Sequence, residues 1–120
     1  MTNSNRKGKE GELELCRELR SFGFWARRSV QYSGANGDAD VIGVPGVHIE
    51  CKRYKKIRPS DMIRFRAQAV KDAQPGELPA VFYREDYSEW YVTYKDDQHP
   101  AGWQVMTLAD WVEWYREVYL

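Results

Sequence analysis

The chain has 120 residues, of which 42% are hydrophobic and 30% charged, the profile of one folded domain with a modest core. Lys plus Arg and Asp plus Glu each number 18, so the net charge is zero. No apolar run approaches the ~20 residues of a membrane span and no signal-peptide pattern opens the chain, which predicts a cytoplasmic protein with no membrane association.

The neutrality hides an asymmetry. Through Lys71 there are 15 Lys and Arg against 8 Asp and Glu; the remainder holds 3 against 10, so the two parts carry +7 and −7. A basic binding face on the first part follows from that split. Cys16 and Cys51 both fall in apolar periodic segments and read as reduced core residues.

Residues 1–7 read as a flexible polar arm. A helix is predicted from Gly8 to Phe22, with Leu13, Leu15, Cys16, Leu19 and Phe22 on one half of its wheel. Glu12 falls inside that arc, whereas Glu10, Glu14 and Glu18 fall on the other half. A carboxylate on a buried face needs a cation, a metal or a proton. A first-turn acid also complements the helix dipole, but that account fits Glu10 equally and does not explain why Glu12 faces inward.

Gly23 caps the helix and Phe24–Tyr32 reads as a strand. The loop Ser33-Gly34-Ala35-Asn36-Gly37-Asp38 follows, flexible enough either to approach a phosphate closely or to serve as a plain connection. Asp40–Val44 and Val47–Lys52 then read as two short strands about a Pro45-Gly46 turn. Alternation sends Val47, Ile49 and Cys51 to one face and His48, Glu50 and Lys52 to the other. Asp40, Glu50 and Lys52 therefore converge at one end of the hairpin. Two carboxylates suit a hard divalent cation, and an ammonium beside them suits a water.

Five of the seven residues from Lys52 to Arg58 are basic, with Tyr54 interleaved, a pattern suited to phosphate contact. Arg53, Lys55, Lys56 and Arg58 are the candidates. Pro59–Ala73 forms the second helix, with Met62, Phe65, Ala69 and Val70 as its stripe. Gln68 on that helix either reaches the site or stays exposed. Leu78–Tyr83, Glu89–Tyr94 and Trp103–Met106 read as strands. Thr107 caps a last helix whose apolar side is Leu108, Trp111, Val112, Tyr115, Val118 and Tyr119.

This arrangement resembles the PD-(D/E)XK nuclease superfamily, and within it the archaeal-type Holliday junction resolvases and their phage-encoded relatives. The residues carrying the resemblance are Arg6-Lys7-Gly8 followed by Glu12, then Ser33, Asp40 and Glu50-Cys51-Lys52. It covers the first half of the chain closely and the second half only in pattern. Ala39-Asp40 stands where the family usually has Pro-Asp, and the long aromatic final segment is a second departure. The resemblance implies a single α/β domain with a restriction-endonuclease-like core, a central mixed β-sheet flanked by helices. It implies Asp40 and Glu50 as Mg²⁺ ligands, with the Cys51 carbonyl as a further oxygen and Glu12 acting directly or through a water. Mn²⁺ is expected to substitute, and Lys52 to stand beside the attacking water. It further implies DNA contacts from Arg6, Lys7 and Ser33, with Asp38 and Gln68 in support, and a homodimer acting on four-way DNA junctions; a nicking, repair or restriction-like nuclease of the same superfamily and a DNA-binding module that does not cut are the alternatives. Trp111 and Trp114 are the candidates for the dimer contact.

Overall fold

The computed structural model describes residues 2–29 and 39–119, with only the backbone for residues 2–6. The order is α1 (Thr2–Ser21), β1 (Arg27–Arg28), β2 (Val41–Ile42), β3 (Val47–Tyr54), α2 (Pro59–Asp72), β4 (Leu78–Glu85), β5 (Tyr91–Lys95), β6 (Trp103–Thr107) and α3 (Leu108–Val118). The strands form one sheet in sequence order. β3 and β4 are parallel, joined through α2, and every other neighbouring pair is antiparallel. The fold is α/β, with helices on both faces of a mixed sheet. Among the described residues no helix is long and apolar enough to cross a membrane.

Alternation along the strands builds two cores. Val47, Ile49 and Cys51 of β3 join Ala80, Phe82, Val92 and Tyr94 beneath Leu15, Cys16 and Leu19 of α1 and Leu108, Trp111, Val112 and Tyr115 of α3. On the opposite face Val81 and Tyr83 pack with Phe65 and Ala69 of α2. At the turn between β2 and β3, Gly46 has φ +80° and the Val47 N–H donates to the Val44 carbonyl at 3.3 Å, as the Pro-Gly pair predicts. The Asp61 carboxylate accepts from the Arg58 N–H at 2.9 Å to start α2, and Thr107 Oγ1 accepts from the Asp110 N–H at 3.2 Å to start α3.

Several elements differ from the sequence pattern. α1 starts at Thr2 rather than Gly8. The Phe24–Tyr32 strand shrinks, within the described residues, to Arg27–Arg28, because the preceding residues cross tightly under the hairpin. Arg20 Nε donates to the Ala26 carbonyl at 2.7 Å, and a Cβ on Gly43 would lie 2.2 Å from the Trp25 carbonyl oxygen. Leu13 is 38% exposed, whereas Glu14 faces protein, accepting from Arg84 Nη1 and from Trp90 Nε1 at 3.0 Å. α1 is walled on two sides, by β3 and by the end of the β4–β5 hairpin, so a single apolar arc does not describe it. Val70 and Val118 are exposed.

Trp111 corrects the expected dimer contact. It is 0% exposed and meets Phe82 edge-on at 5.0 Å, so it belongs to the core of one chain. Trp114 stacks on Tyr94 at 4.4 Å, and Tyr115 stacks on both Trp111 and Tyr119. The aromatic surplus is largely absorbed by rings packing on rings.

α1 meets β3 at Gly11, where an added Cβ would lie 2.4 Å from the Cβ of Arg53. Gly11→Ala should therefore destabilise the fold by about 1–3 kcal/mol through overpacking, against the gain of about 1 kcal/mol that alanine brings to an open helix site. Urea unfolding of the variant checks this; a stabilised variant would show that α1 does not seat on β3 there.

Candidate active site

The site lies where β2 stops and β3 continues. The β2–β3 register pairs Val41 with Ile49, and the Asp40 N–H donates to the Ile49 carbonyl at 2.9 Å. One step further the Cys51 N–H donates to Asp40 Oδ2 at 2.8 Å. A side chain thus satisfies a donor that a longer β2 would have met with its backbone. Past that point β3 parts from β2, and a cleft of about 310 Å³ opens. Its walls are Lys7, Gly8 and Glu12 from α1, Asp40, the Cys51–Tyr54 end of β3, and Lys55. A larger cavity of about 550 Å³ lies beside the Pro45-Gly46 turn, but its lining is mostly apolar, with Glu77 and Arg116 the charged residues among those described.

The carboxylates have unequal surroundings. Glu12 Oε1 accepts from Arg28 Nε at 2.8 Å, so its inward position is compensated by a cation on β1. Glu50 and His48 are each 1% exposed and bonded to one another, Glu50 Oε2 to His48 Nε2 at 2.5 Å. Burial would push the His48 pKa down, but the bond to Glu50 and the nearby Glu77 charge hold it above the usual imidazole value. Glu50 sits behind the cleft wall rather than on it. Asp40 forms no ion pair among the described residues. Burial first, then the Glu50 charge, push its pKa up to about 7 against the pull of the Cys51 N–H and Lys52. The Cys51 thiol is also raised well above its usual range, by burial and by Asp40.

Lys52 points to the α2 side. Its Nζ donates to Gln68 Oε1 at 3.2 Å and lies 5.0 Å from the centre of the Phe65 ring. Gln68 is exposed and bonds Lys52, but it does not line the cleft. Arg53 points to the α1 side, and Asp86 Oδ1 takes both Arg53 Nη1 at 2.6 Å and Lys7 Nζ at 3.2 Å. Lys55 and Lys56 are exposed, and Arg58 leans on Asp61 at 3.4 Å. The Arg6 side chain, Ser33 and Asp38 lie outside the described residues.

Three partners escaped the sequence pattern. His48 carried a signal, since it shares a strand face with Glu50 two residues away. Arg28 and Asp86 carried none, being 16 and 33 residues from the groups they hold. Among the described residues no three His, Cys, Asp or Glu side chains form a metal cage. Mg²⁺ needs none, since it is commonly held by one or two carboxylates plus waters and phosphate. Hard oxygen donors and an acid as poorly compensated as Asp40 fit such an ion. No protein-family model matches the chain, and no curated protein matches it.

The raised Asp40 pKa gives a signed pH dependence. The folded state binds this proton more tightly than the unfolded state, so metal-free stability falls as pH rises from about 4 to about 7. His48 acts in the same direction at higher pH, because the stability from its raised pKa is lost as it deprotonates. Asp40→Asn should remove the first part and stabilise the protein at pH 8 in EDTA by about 1–2 kcal/mol. Thermal melts of both proteins between pH 5 and 8 check this; parallel curves would show that Asp40 is not strained.

Proposed function

We propose that the chain is a Mg²⁺-dependent, structure-selective DNA endonuclease of the PD-(D/E)XK type, hydrolysing phosphodiesters at four-way junctions as a homodimer. The observation carrying this reading is the cleft, whose lining brings Glu12 and Asp40 together with Lys7, Lys52, Arg53 and Lys55. Acids and cations lining one cleft suit a phosphodiester approaching a cation site. Asp40, with the Cys51 carbonyl, would hold Mg²⁺, and Glu50 would join them only by turning from His48 toward the cleft; the ion when bound neutralises phosphate charge and acidifies a water.

The remaining work falls to the chain. Lys7, Arg53, Lys55, Lys56 and Arg58 bind backbone phosphates on either side of the scissile one. Lys52, steadied by Gln68 and the Phe65 ring, orients the attacking water by donating a hydrogen bond to it and offsets charge on the phosphate. Arg28 holds the Glu12 carboxylate in place at the cleft wall. The water gives up a proton to solvent as its oxygen bonds to phosphorus, the bond to the leaving oxygen breaks, and that oxygen takes a proton from solvent. A four-way junction has two equivalent strands, so paired cuts call for two copies related by a two-fold axis.

A second reading, a DNA-binding module that does not cut, is favoured by the Arg28 and His48 bonds, which already occupy Glu12 and Glu50. Incubating a four-way junction and a linear duplex with the protein, in Mg²⁺ and in EDTA, separates the two. Cutting is expected in Mg²⁺ alone and preferentially on the junction. Asp40→Asn and Glu50→Gln should slow it by about 100-fold or more while leaving junction binding intact or tighter. Binding without cutting by the parent would select the second reading.

Replacing Lys55, Lys56 and Arg58 together should lower the slope of log affinity against log salt by about 0.9 for each phosphate that these side chains neutralise on B-DNA. A titration from low to moderate salt measures it; an unchanged slope would make the run a solvated face.

A further inference from the structure

The turn between β4 and β5 carries a residue its backbone does not favour. Ser88 N–H donates to the Glu85 carbonyl at 3.3 Å, closing a four-residue turn with Tyr87 in the third position. Tyr87 has φ +61°, and among the described residues it is the only one other than glycine in the left-handed region. Gly or Asn usually fills such a position, and an aromatic side chain there is strained. The side chain recovers nothing by burial, for Tyr87 is 103% exposed.

The strained turn is nonetheless held firmly against the cleft. The Asp86 N–H is shared between the Tyr54 and Lys55 carbonyls at 3.1 and 3.3 Å, and the Asp86 carboxylate holds Arg53 and Lys7 of the cleft wall. Glu85 accepts from the Ile57 N–H at 2.7 Å, and Arg84 Nε donates to the Ser88 carbonyl at 2.6 Å. Residues on both sides of Tyr87 are therefore bonded, and two of them are bonded to the basic segment 53–57. The result is a rigid mount that presents one aromatic ring to solvent beside a row of cations.

An exposed ring carried on the turn whose Asp86 holds Arg53 and Lys7 matches one ligand chemistry well: a nucleotide whose base face is open. Bases inside a linear duplex are covered by their neighbours and offer the ring nothing. At a branch point or single-stranded flap a base face is free. We propose that Tyr87 stacks on an unpaired or unstacked base at a DNA branch while segment 53–58 grips the adjoining phosphates, so that this turn contributes the preference for branched over linear DNA. The inference rests on the nuclease reading of the cleft and adds to it the feature of the substrate that is recognised.

Tyr87→Gly relieves the backbone strain and should fold at least as stably as the parent, which a thermal melt verifies. The binding test uses a forked DNA with 2-aminopurine at the branch and a linear duplex of the same composition, both in EDTA. The parent is expected to quench the 2-aminopurine fluorescence on binding the fork. Tyr87→Gly should bind the fork on the order of tenfold more weakly without quenching, and bind the duplex as the parent does. Tyr87→Trp should restore both affinity and quenching. Equal fork binding by Tyr87→Gly and the parent, or an equal loss on fork and duplex, would overturn the inference while leaving the nuclease reading in place. A parent that binds neither DNA in EDTA and cuts neither in Mg²⁺ would remove both.

Discussion

The bond from the Cys51 N–H to the Asp40 carboxylate is the constraint on which the site depends. It ends the β2–β3 ladder without orphaning a buried donor, so β3 runs on to Tyr54 paired with β4 but no longer with β2. That freed edge is where the cleft opens, and it places Asp40 at the junction of the strand that stops and the strand that continues. On either side of this edge, alternation distributes chemistry to the two faces: Arg53 toward α1, Lys52 toward α2. Gly11 lets α1 approach closely enough to bring Lys7 and Glu12 to the same rim.

The same region shows how buried acids are tolerated. Glu12 has Arg28, Glu14 has Arg84 and the Trp90 indole, and Glu50 has His48. Each pair is confined to its own layer of the structure, α1 with β1, α1 with the β4–β5 hairpin, and one face of β3. Asp40 stands apart, with one backbone donor and the field of Glu50 close by. Among the described residues it is the one of these four acids with no cationic or neutral side chain bonded to it, and it lines the cleft. A carboxyl that burial and a like charge push toward its protonated form differs from a carboxylate fixed in an ion pair.

Legibility followed the range of the interaction. The hairpin 41–54, its Pro-Gly turn and the starts of α2 and α3 were readable because local chemistry determines them: β-branched alternation, a residue with positive φ, a carboxylate or hydroxyl within three residues of the N–H it caps. That local geometry put Asp40, Glu50 and Lys52 on neighbouring positions, but not the turning of Glu50 to His48 and of Lys52 to Gln68, which other faces and elements supply. The orientation of α1 was only half readable, because a wheel assumes one buried face. Glu14 is inside because β4 and β5, some 70 residues later, bring Arg84 and Trp90 to it. Trp111 went the same way: whether a wide aromatic stripe faces a partner or its own sheet depends on Phe82 and Tyr94, which the helix sequence does not reveal. The partners of Arg28 and Asp86 likewise depend on tertiary neighbours, whereas the turn at 84–88 was legible from its polar residues.

One bond has a consequence for how the protein is made. The Tyr115 hydroxyl of α3 donates to the Pro45 carbonyl at 2.6 Å, clasping the turn of the hairpin from which Asp40 and Glu50 extend. α3 is made after every strand of the sheet, and a domain of this size folds as a cooperative unit. The turn beside Asp40 is therefore clasped by the last helix described, and the hairpin reaches its full support only when α3 is present to close the core over it.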